Sequence, residues 1–264
     1  MVKKGFYILL LLLPYGLIPL SGQDLDSMLL ELESPPDRVY ALSTFRSTRL
    51  VLGQSSETPV HGDLTFIISH RFGNIQGGLY DFFGMDQAYN RLGFEYGIND
   101  RIGLSVGRNS FEKIYDGAFK IRLVRQHKGL RNSPLSLTWY SGIFMNTLRW
   151  SDPERDNLFS SRLSYVNQLL IARKFNKRLS LQLSPSHIHR NLVKREIDQN
   201  DVFAIGFGGK YNFAKKVSLN LEYFWLLPGQ TASDFQNSFS VGFDFQTGGH
   251  VFQLHVSNSQ GTNE

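Results

Sequence analysis

Three residues of one segment could form a hydrolase triad, but their spacing argues against it. Asp63, Ser69 and His70 supply a carboxylate, a hydroxyl and an imidazole. The serine of a triad must lie within hydrogen-bond reach of the histidine, whereas adjacent residues of a β-strand point to opposite faces. Because the segment has a strand pattern, Ser69 and His70 cannot pair directly. We expect no catalytic residues, and we expect His70 and Arg71 to anchor the following loop or to face lipid headgroups.

Histidines supply the second set of candidate ligands. His187 and His189 share one face of a predicted strand, but no acidic or histidine cluster in the sequence completes this pair. His250 and His255 are an odd number of residues apart, so on a strand they point to opposite faces. The chain contains no cysteine, which excludes a thiolate metal site, a cysteine nucleophile and a disulfide scaffold. We therefore expect neither a metal nor a cofactor.

Charged residues recur on the polar face of three neighbouring segments with a strand pattern. These lumen candidates are Arg91, Glu95, Arg101, Lys120 and Arg122. If the segments enclose a lumen, the charges form either a positively charged constriction that favours anionic solutes or a salt-bridged interior that is packed shut. Both interpretations stay open, since the width of a lumen depends on the number of strands.

These residues lie in segments where apolar and polar side chains alternate with a period of two, from about residue 62 onward. Leu92 and Phe94, for example, lie on one face, and Arg91, Gly93 and Glu95 lie on the other. The pattern predicts strands over residues 62–71, 88–98, 101–109, 115–126, 134–147, 158–174, 178–189, 201–212, 216–227, 235–246 and 250–257.

These segments are longer than the strands of soluble proteins, which average ~5 to 6 residues, and they match the ~9 to 11 residues that cross a bilayer. Aromatic residues such as Trp139, Trp150 and Trp225 lie near their ends, as in the aromatic girdles of membrane barrels. We predict an all-β, antiparallel transmembrane β-barrel of about twelve strands, within a range of roughly 10 to 14. A soluble sandwich or a lipocalin-like barrel is the alternative.

Connection lengths predict the topology. Tight joints at 99–100, 175–177, 213–215 and 247–249 mostly alternate with longer polar joints at 72–87, 148–157, 190–200 and 228–234. Outer-membrane barrels have short periplasmic turns and long external loops. The joint at 127–133 is long for such a turn. Eleven strands would leave the C-terminus outside, so either 48–54 is a twelfth strand or the sequence lacks a final strand. We favour the second explanation.

Several segments resemble an uncharacterised family of bacterial outer-membrane β-barrels. They include His70-Arg71-Phe72-Gly73, the stretch from Gly77 to Ala88, Glu95-Tyr96-Gly97-Ile98 and Thr247-Gly248-Gly249-His250-Val251-Phe252. The resemblance covers nearly the whole chain after its first ~22 residues. It implies a barrel of unknown function with a further strand after residue 264, and it assigns no catalytic residues.

The N-terminal region predicts export. Residues 1–22 contain Lys3 and Lys4, a leucine run and small terminal residues, which together form a secretory signal peptide. After removal of the signal peptide the chain has 26 basic and 23 acidic residues. The net charge of +3 is too small to indicate nucleic-acid binding. We expect residues 23–47 to be a periplasmic segment whose acidic helix, at 24–37, is either a frayed tail or a plug of the lumen. Residues 48–264 would form the barrel domain.

The long joint after the first predicted strand is unusually apolar for a loop, with Leu79, Tyr80, Phe82, Phe83 and Met85. These side chains either fold inward over the barrel mouth, which we favour, or form an external partner surface.

Together these features predict a non-enzymatic protein of the Gram-negative cell outer membrane. The favoured function is a passive porin-like channel for small solutes. The alternative is a structural or adaptor barrel with a filled lumen, which acts through its loops or a periplasmic partner. Expected partners are outer-membrane lipid and, for the channel, small solutes; no nucleic acid is expected, and the sequence identifies no protein partner.

Overall fold

The computed structural model describes residues 38–129, 131–193, 195–231 and 235–259. The predicted signal peptide and the predicted acidic helix lie outside these residues. The strands are β1 (Arg38–Tyr40), β2 (Leu64–Phe72), β3 (Ala88–Gly97), β4 (Ile102–Asn109), β5 (Ile114–Val124), β6 (His127–Gly129), β7 (Ser136–Asn146), β8 (Leu163–Lys174), β9 (Leu179–Arg190), β10 (Asp201–Asn212), β11 (Val217–Leu226), β12 (Ser238–Thr247) and β13 (His250–Ser257). Short 3-10 turns occupy Ile75–Gly77, Phe82–Gly84, Phe111–Lys113 and Phe159–Arg162.

Eleven of these strands form one antiparallel sheet, in the order β2-β3-β4-β5-β7-β8-β9-β10-β11-β12-β13. The period-two pattern predicted all eleven, and the all-β antiparallel class is confirmed. The largest difference in a boundary is at β8, which begins at Leu163 because a 3-10 turn occupies Phe159–Arg162. The sheet is not closed: β2 and β13 are its edges and do not pair with each other. The strand number of the barrel therefore stays a prediction.

The polarity of the two sheet faces is the reverse of that in a soluble protein, with apolar side chains exposed and polar side chains buried. Large apolar side chains such as Phe94, Leu183 and Phe207 are exposed on the outward face. Polar side chains such as Thr138 and Ser240 are fully buried on the inward face. An apolar face of this extent needs an apolar medium to cover it, which is the arrangement of a membrane barrel. No helix in the described ranges is long and apolar enough to cross a membrane.

The connections define two rims. The tight-turn rim carries residues 98–101, 125–129, 131–135, 175–178, 213–216 and 248–249, and the loop rim carries 73–87, 110–113, 147–162, 191–193, 195–200, 227–231 and 235–237. The connection 125–135 includes the joint that is long for a turn. It contains β6, which pairs with β1 in a separate two-stranded sheet, and no sequence pattern had predicted this pairing.

Residues 44–59, called here the lumen segment, lie against the inward face of the sheet. Phe45, Leu50, Val51 and Ser55 within it are almost completely buried. The alternative that 48–54 forms a twelfth strand is wrong for this structure, because the segment joins no sheet and contains only an isolated bridge between Arg49 and Gln54. The segment turns back on itself instead, and its far end leads into β2 at the tight-turn rim.

Candidate functional site

Lys120 forms the first anchor of the lumen segment. It lies on the inward face of β5 and is 6% exposed. Its Nζ donates hydrogen bonds to the carbonyl oxygens of Thr48 at 2.6 Å, Ser55 at 3.1 Å and Glu57 at 3.2 Å. A buried ammonium group is costly unless such acceptors replace its water. The lysine therefore holds both arms of the turned segment together.

Glu222 forms the second anchor, on the inward face of β11. Its carboxylate accepts the amide hydrogens of Val51, Leu52 and Gly53, with N···O distances of 3.3, 3.1 and 3.0 Å. Successive backbone N–H groups that converge in this way form an anion-binding concavity. The segment thus presents carbonyl groups to a cation on one side and amide groups to a carboxylate on the other.

Uncharged polar side chains complete the contacts. Gln182 on β9 accepts the amide hydrogen of Ser56 at 2.9 Å and donates to the carbonyl of Gln54 at 2.8 Å. Thr138 on β7 donates to the carbonyl of Ser56 at 2.9 Å, and Gln253 on β13 donates to the carbonyl of Leu50 at 3.2 Å. Five strands therefore bind the backbone of one segment, which satisfies polar groups that would otherwise be buried without partners.

Close steric contacts accompany these hydrogen bonds. Leu50 packs onto β10 where Gly208 has no side chain, and a Cβ at that position would lie 2.3 Å from the leucine Cδ2. Just after the far end of the segment, a Cβ on Gly97 would lie 1.9 Å from the carbonyl oxygen of Val60. These two glycines are needed for close approach, so the wall is shaped to admit the segment.

The segment enters at the tight-turn rim. Arg46 donates to Ser218 Oγ at 3.0 Å and to the carbonyl of Lys215 at 3.1 Å. Lys174 at the end of β8 donates to the carbonyl oxygen of Ser43 at 3.2 Å. These basic residues place the entry point beside the turns that follow β8 and β10.

The predicted lumen residues do not act as one group. Arg91 and Asp116 form a buried ion pair, with Nε and Oδ1 3.2 Å apart, and Glu95 is buried on the same inward face. Arg122 faces Glu57 of the lumen segment, with Nη2 and Oε2 3.4 Å apart.

The prediction that Arg101 lies in the lumen is wrong. Arg101 is exposed in the turn before β4. The strand begins one residue later than predicted, so Arg101 is a turn residue. The other four charges lie on the inward face, and three of them have partners there: Arg91 with Asp116, Lys120 with the lumen segment and Arg122 with Glu57. The choice between a constriction and a packed interior stays a prediction.

Sequence reasoning missed Glu222 and Gln182, which bind the segment, and Glu57, which holds the start of the segment from within it by accepting the amide hydrogens of Thr44 and Phe45. The sequence contained a signal for Glu222. It is the only charged residue on the polar face of its strand, which it shares with the uncharged Ser218 and Asn220. No comparable signal marks Glu57, because residues 44–59 have no strand or helix period.

The predicted loop anchors lie on opposite faces. His70 is on the outward face of β2 at the loop rim, with Nδ1 2.6 Å from Asn90 Oδ1. Arg71 is buried on the inward face, and its Nη1 has no hydrogen-bond partner among the described residues. The separation of the two side chains follows from strand geometry.

His187 and His189 share the outward face of β9, and the fold adds Asp201 from β10 beside them. His187 Nε2 and His189 Nδ1 each lie 2.8 Å from Asp201 Oδ1. The sheet register brings Asp201 opposite His189, which the sequence alone could not indicate. The described residues contain no group of three or more histidine, cysteine or acidic side chains able to hold a metal ion.

The apolar loop of residues 73–87 does not fold inward, contrary to the favoured prediction. Leu79 is 81% exposed and Tyr80 is 93% exposed. The loop backbone is held by its own hydrogen bonds, from Gly73 N to Gly84 O at 2.8 Å and from Phe83 N to Gly78 O at 2.7 Å. The loop is therefore an exposed, ordered surface, and the partner that the alternative assigned to it stays a prediction.

Comparison with known proteins agrees with this architecture. The family model described as membrane bound beta barrel domain (DUF5777) matches residues 45–264, a range that begins within the lumen segment. No curated protein and no solved structure matches the chain. The match covers most of the sequence and confirms both the predicted resemblance and a membrane-bound β-barrel. The chain therefore belongs to the family of membrane bound beta barrel domains (DUF5777), a family of unknown function.

Proposed function

We propose that this protein is a non-enzymatic structural or adaptor barrel of the bacterial outer membrane, whose lumen is closed at rest by residues 44–59. One observation carries the proposal: the anchoring of the segment between the buried cation of Lys120 and the buried anion of Glu222, each with three backbone partners. This anchoring favours the alternative raised by the sequence over the open porin.

The number of contacts supports a closed resting state. Lys120 and Glu222 bind six backbone groups of the segment, and Thr138, Gln182 and Gln253 bind four more. Each hydrogen bond contributes about 1 kcal/mol net, and the conformational entropy that the segment regains on release offsets part of their sum. We infer that the remaining free energy keeps the lumen closed most of the time.

A passive channel for small solutes is the second candidate function. The contacts that hold the segment are mainly polar, so its removal would leave the polar side chains of β5, β9 and β11 facing a water-filled space. In this candidate the segment acts as a removable plug, in place of the acidic helix considered from the sequence.

The exposed loop is the surface through which an adaptor barrel would act. Leu79 and Tyr80 project from a backbone that is already ordered, so a partner would bind them at a low cost in conformational entropy. We place this loop outside the cell and the tight-turn rim in the periplasm, in accordance with the usual loop lengths of outer-membrane barrels.

Planar-bilayer conductance of the purified protein tests the proposal. The unmodified protein should show no stable conductance steps, whereas the double variant Lys120→Met with Glu222→Gln should conduct because both anchors are lost. The matched control, Lys216→Met with Glu154→Gln, changes the same residue types at exposed positions and should stay closed. Steady conductance by the unmodified protein would overturn the closed-lumen proposal and support the passive channel.

A further inference from the structure

A shallow groove runs along the outward face of the sheet, near the tight-turn rim. Its volume is about 450 Å³, within the size range of small-ligand sites. Its lining includes Ile171, Arg173, Phe175, Leu181, Leu183 and Phe207. These residues belong to β8, β9 and β10 and to the turn after β8, on the face that the bilayer covers.

One outward position beside this lining lacks a side chain. Gly209 takes an outward position on β10 opposite Leu181, and a Cβ there would lie 3.3 Å from Leu181 Cδ2. Phe207 stands two residues before it on the same face. An aliphatic chain laid beside Leu181 therefore meets an apolar wall without a projecting side chain at Gly209.

Arg173 places a cation at the end of this apolar groove. It lies on the outward face of β8, and its Cζ is 4.9 Å from the centre of the Phe175 ring. The stacking holds the guanidinium beside the groove while its N–H groups stay free to bind an acceptor. A guanidinium fork binds the oxygens of phosphate with two parallel hydrogen bonds.

The charge of the surrounding rim has the same sign. The turn between β8 and β9 carries Lys177 and Arg178 but no acidic residue. Other basic residues at the tight-turn rim are Arg101, Arg125, Lys128, Arg131, Lys215 and Lys216, and the one acidic residue in its turns is Asp100. The loop rim, in contrast, carries more acidic than basic residues. Its carboxylates include Asp81, Asp86, Asp152, Glu154, Glu196 and Asp198, and its basic residues include Arg149, Arg155 and Arg195. The basic rim therefore suits anionic headgroups.

We propose that this groove is a binding site for an anionic phospholipid of the bilayer. One acyl chain lies along Leu181, Leu183 and Phe207, and the phosphate binds Arg173. The charge of the rim and the continuity of the groove with the lipid-covered face select a lipid over a free anion. The proposal is independent of the lumen, because every residue it uses faces outward or lies in a turn.

Native mass spectrometry of the full chain in detergent micelles provides the test. The probes are dioleoyl phosphatidylglycerol and dioleoyl phosphatidylcholine, which share acyl chains and differ in net charge. The unmodified protein should retain phosphatidylglycerol preferentially. Arg173→Gln should lower this retention roughly fivefold, which corresponds to about 1 kcal/mol, and Arg173→Lys should keep part of it.

Arg108→Gln is the matched control. Arg108 also lies on the outward face beside an aromatic ring, with its Cζ 5.5 Å from the centre of Tyr115, but it is at the loop rim. Its substitution should leave phosphatidylglycerol retention unchanged. Equal losses in the two variants, or equal retention of both lipids by the unmodified protein, would overturn the proposal.

The apolar half of the site has its own pair of variants. Gly209→Val adds a side chain beside the groove, against Leu181, and should lower the retention of both lipids. Gly117→Val fills an outward position on β5, where a Cβ meets only Ile143 at 3.8 Å, and should not change retention. Excess inorganic phosphate should not displace the lipid. Normal retention by the folded Gly209→Val variant, or displacement by phosphate, would contradict a lipid site.

Discussion

Both carboxylate oxygens of Glu222 lie close to the amide nitrogen of Gly53, at 3.0 and 3.1 Å. One residue lies in the middle of β11, and the other lies at the turn of the lumen segment, far away in the sequence. The contact requires the sheet to have curved around the segment. Contacts of this kind should control both the stability of the barrel and the closure of its lumen.

Replacement of Glu222 by glutamine should loosen the lumen segment. The amide keeps a similar shape but loses the negative charge that the amides of Val51, Leu52 and Gly53 now bind. We expect a loss of roughly 2 kcal/mol in the free energy of unfolding, measured by urea titration in micelles. Glu95→Gln is the control, since Glu95 is buried on the same inward face and no hydrogen bond joins it to the segment in the described structure. Equal losses in both variants would show that the anchor has no special role.

Replacement of Lys120 by methionine should have a larger effect. The carbonyl oxygens of Thr48, Ser55 and Glu57 would lose a buried charged donor, and removal of one partner from such a cluster costs about 3 kcal/mol. The shift in the midpoint of urea unfolding measures this loss. Lys216→Met removes an exposed lysine and should change stability by less than about 0.5 kcal/mol. A tolerant response to Lys120→Met would mean that the segment is held elsewhere.

Gly97→Ala should push the backbone that follows the lumen segment, at Val60, off the wall. The added Cβ would lie 1.9 Å from the carbonyl oxygen of Val60, and this backbone contact cannot be relieved by a side-chain rotation. We expect a loss of about 2 kcal/mol in unfolding free energy.

Gly117→Ala serves as the control for this variant, because its Cβ would meet only Ile143 at 3.8 Å. Alanine replaces glycine in a strand there without a clash, so stability should stay the same or rise by about 0.5 kcal/mol. If both alanine variants unfold at the same urea concentration, the close approach at Gly97 is not present in solution.

The absence of cysteine from the chain allows a direct test of burial. Ser55 is completely buried, so a cysteine at this position should not react with a water-soluble maleimide until the protein is unfolded. Ser151→Cys, at an exposed position of the loop rim, should react at once. Mass spectrometry after timed labelling measures both rates. Rapid labelling of Ser55→Cys in the folded barrel would place the lumen segment outside the lumen.

The same cysteine connects burial with closure. In the background of Lys120→Met and Glu222→Gln, the label should reach Ser55→Cys at least about tenfold faster, because an opening cost lowered by about 1.4 kcal/mol or more raises the open population tenfold. The background of Lys216→Met and Glu154→Gln should leave the rate unchanged. If the labelling rate does not change when both anchors are lost, then Lys120 and Glu222 are not what keeps the segment buried.

Much of the fold could be predicted from the sequence because strand geometry is local. Successive side chains alternate between the two faces, so the period by itself places Arg91, Glu95 and Lys120 on the inward face and Phe94 on the outward face. The eleven strands of the sheet, their antiparallel order and the membrane-facing surface all follow from this alternation and from the lengths of the connections.

Only the tertiary structure decided what occupies the lumen. Residues 44–59 have no strand or helix period, and their burial depends on side chains from five strands that are distant in sequence. For the same reason the sequence placed Arg101 in the lumen and turned Leu79 and Tyr80 inward, since turn boundaries and loop paths depend on long-range packing. A local pattern determines which way a strand residue points, but the buried polar groups of an irregular segment find their partners only when the whole sheet has formed around them.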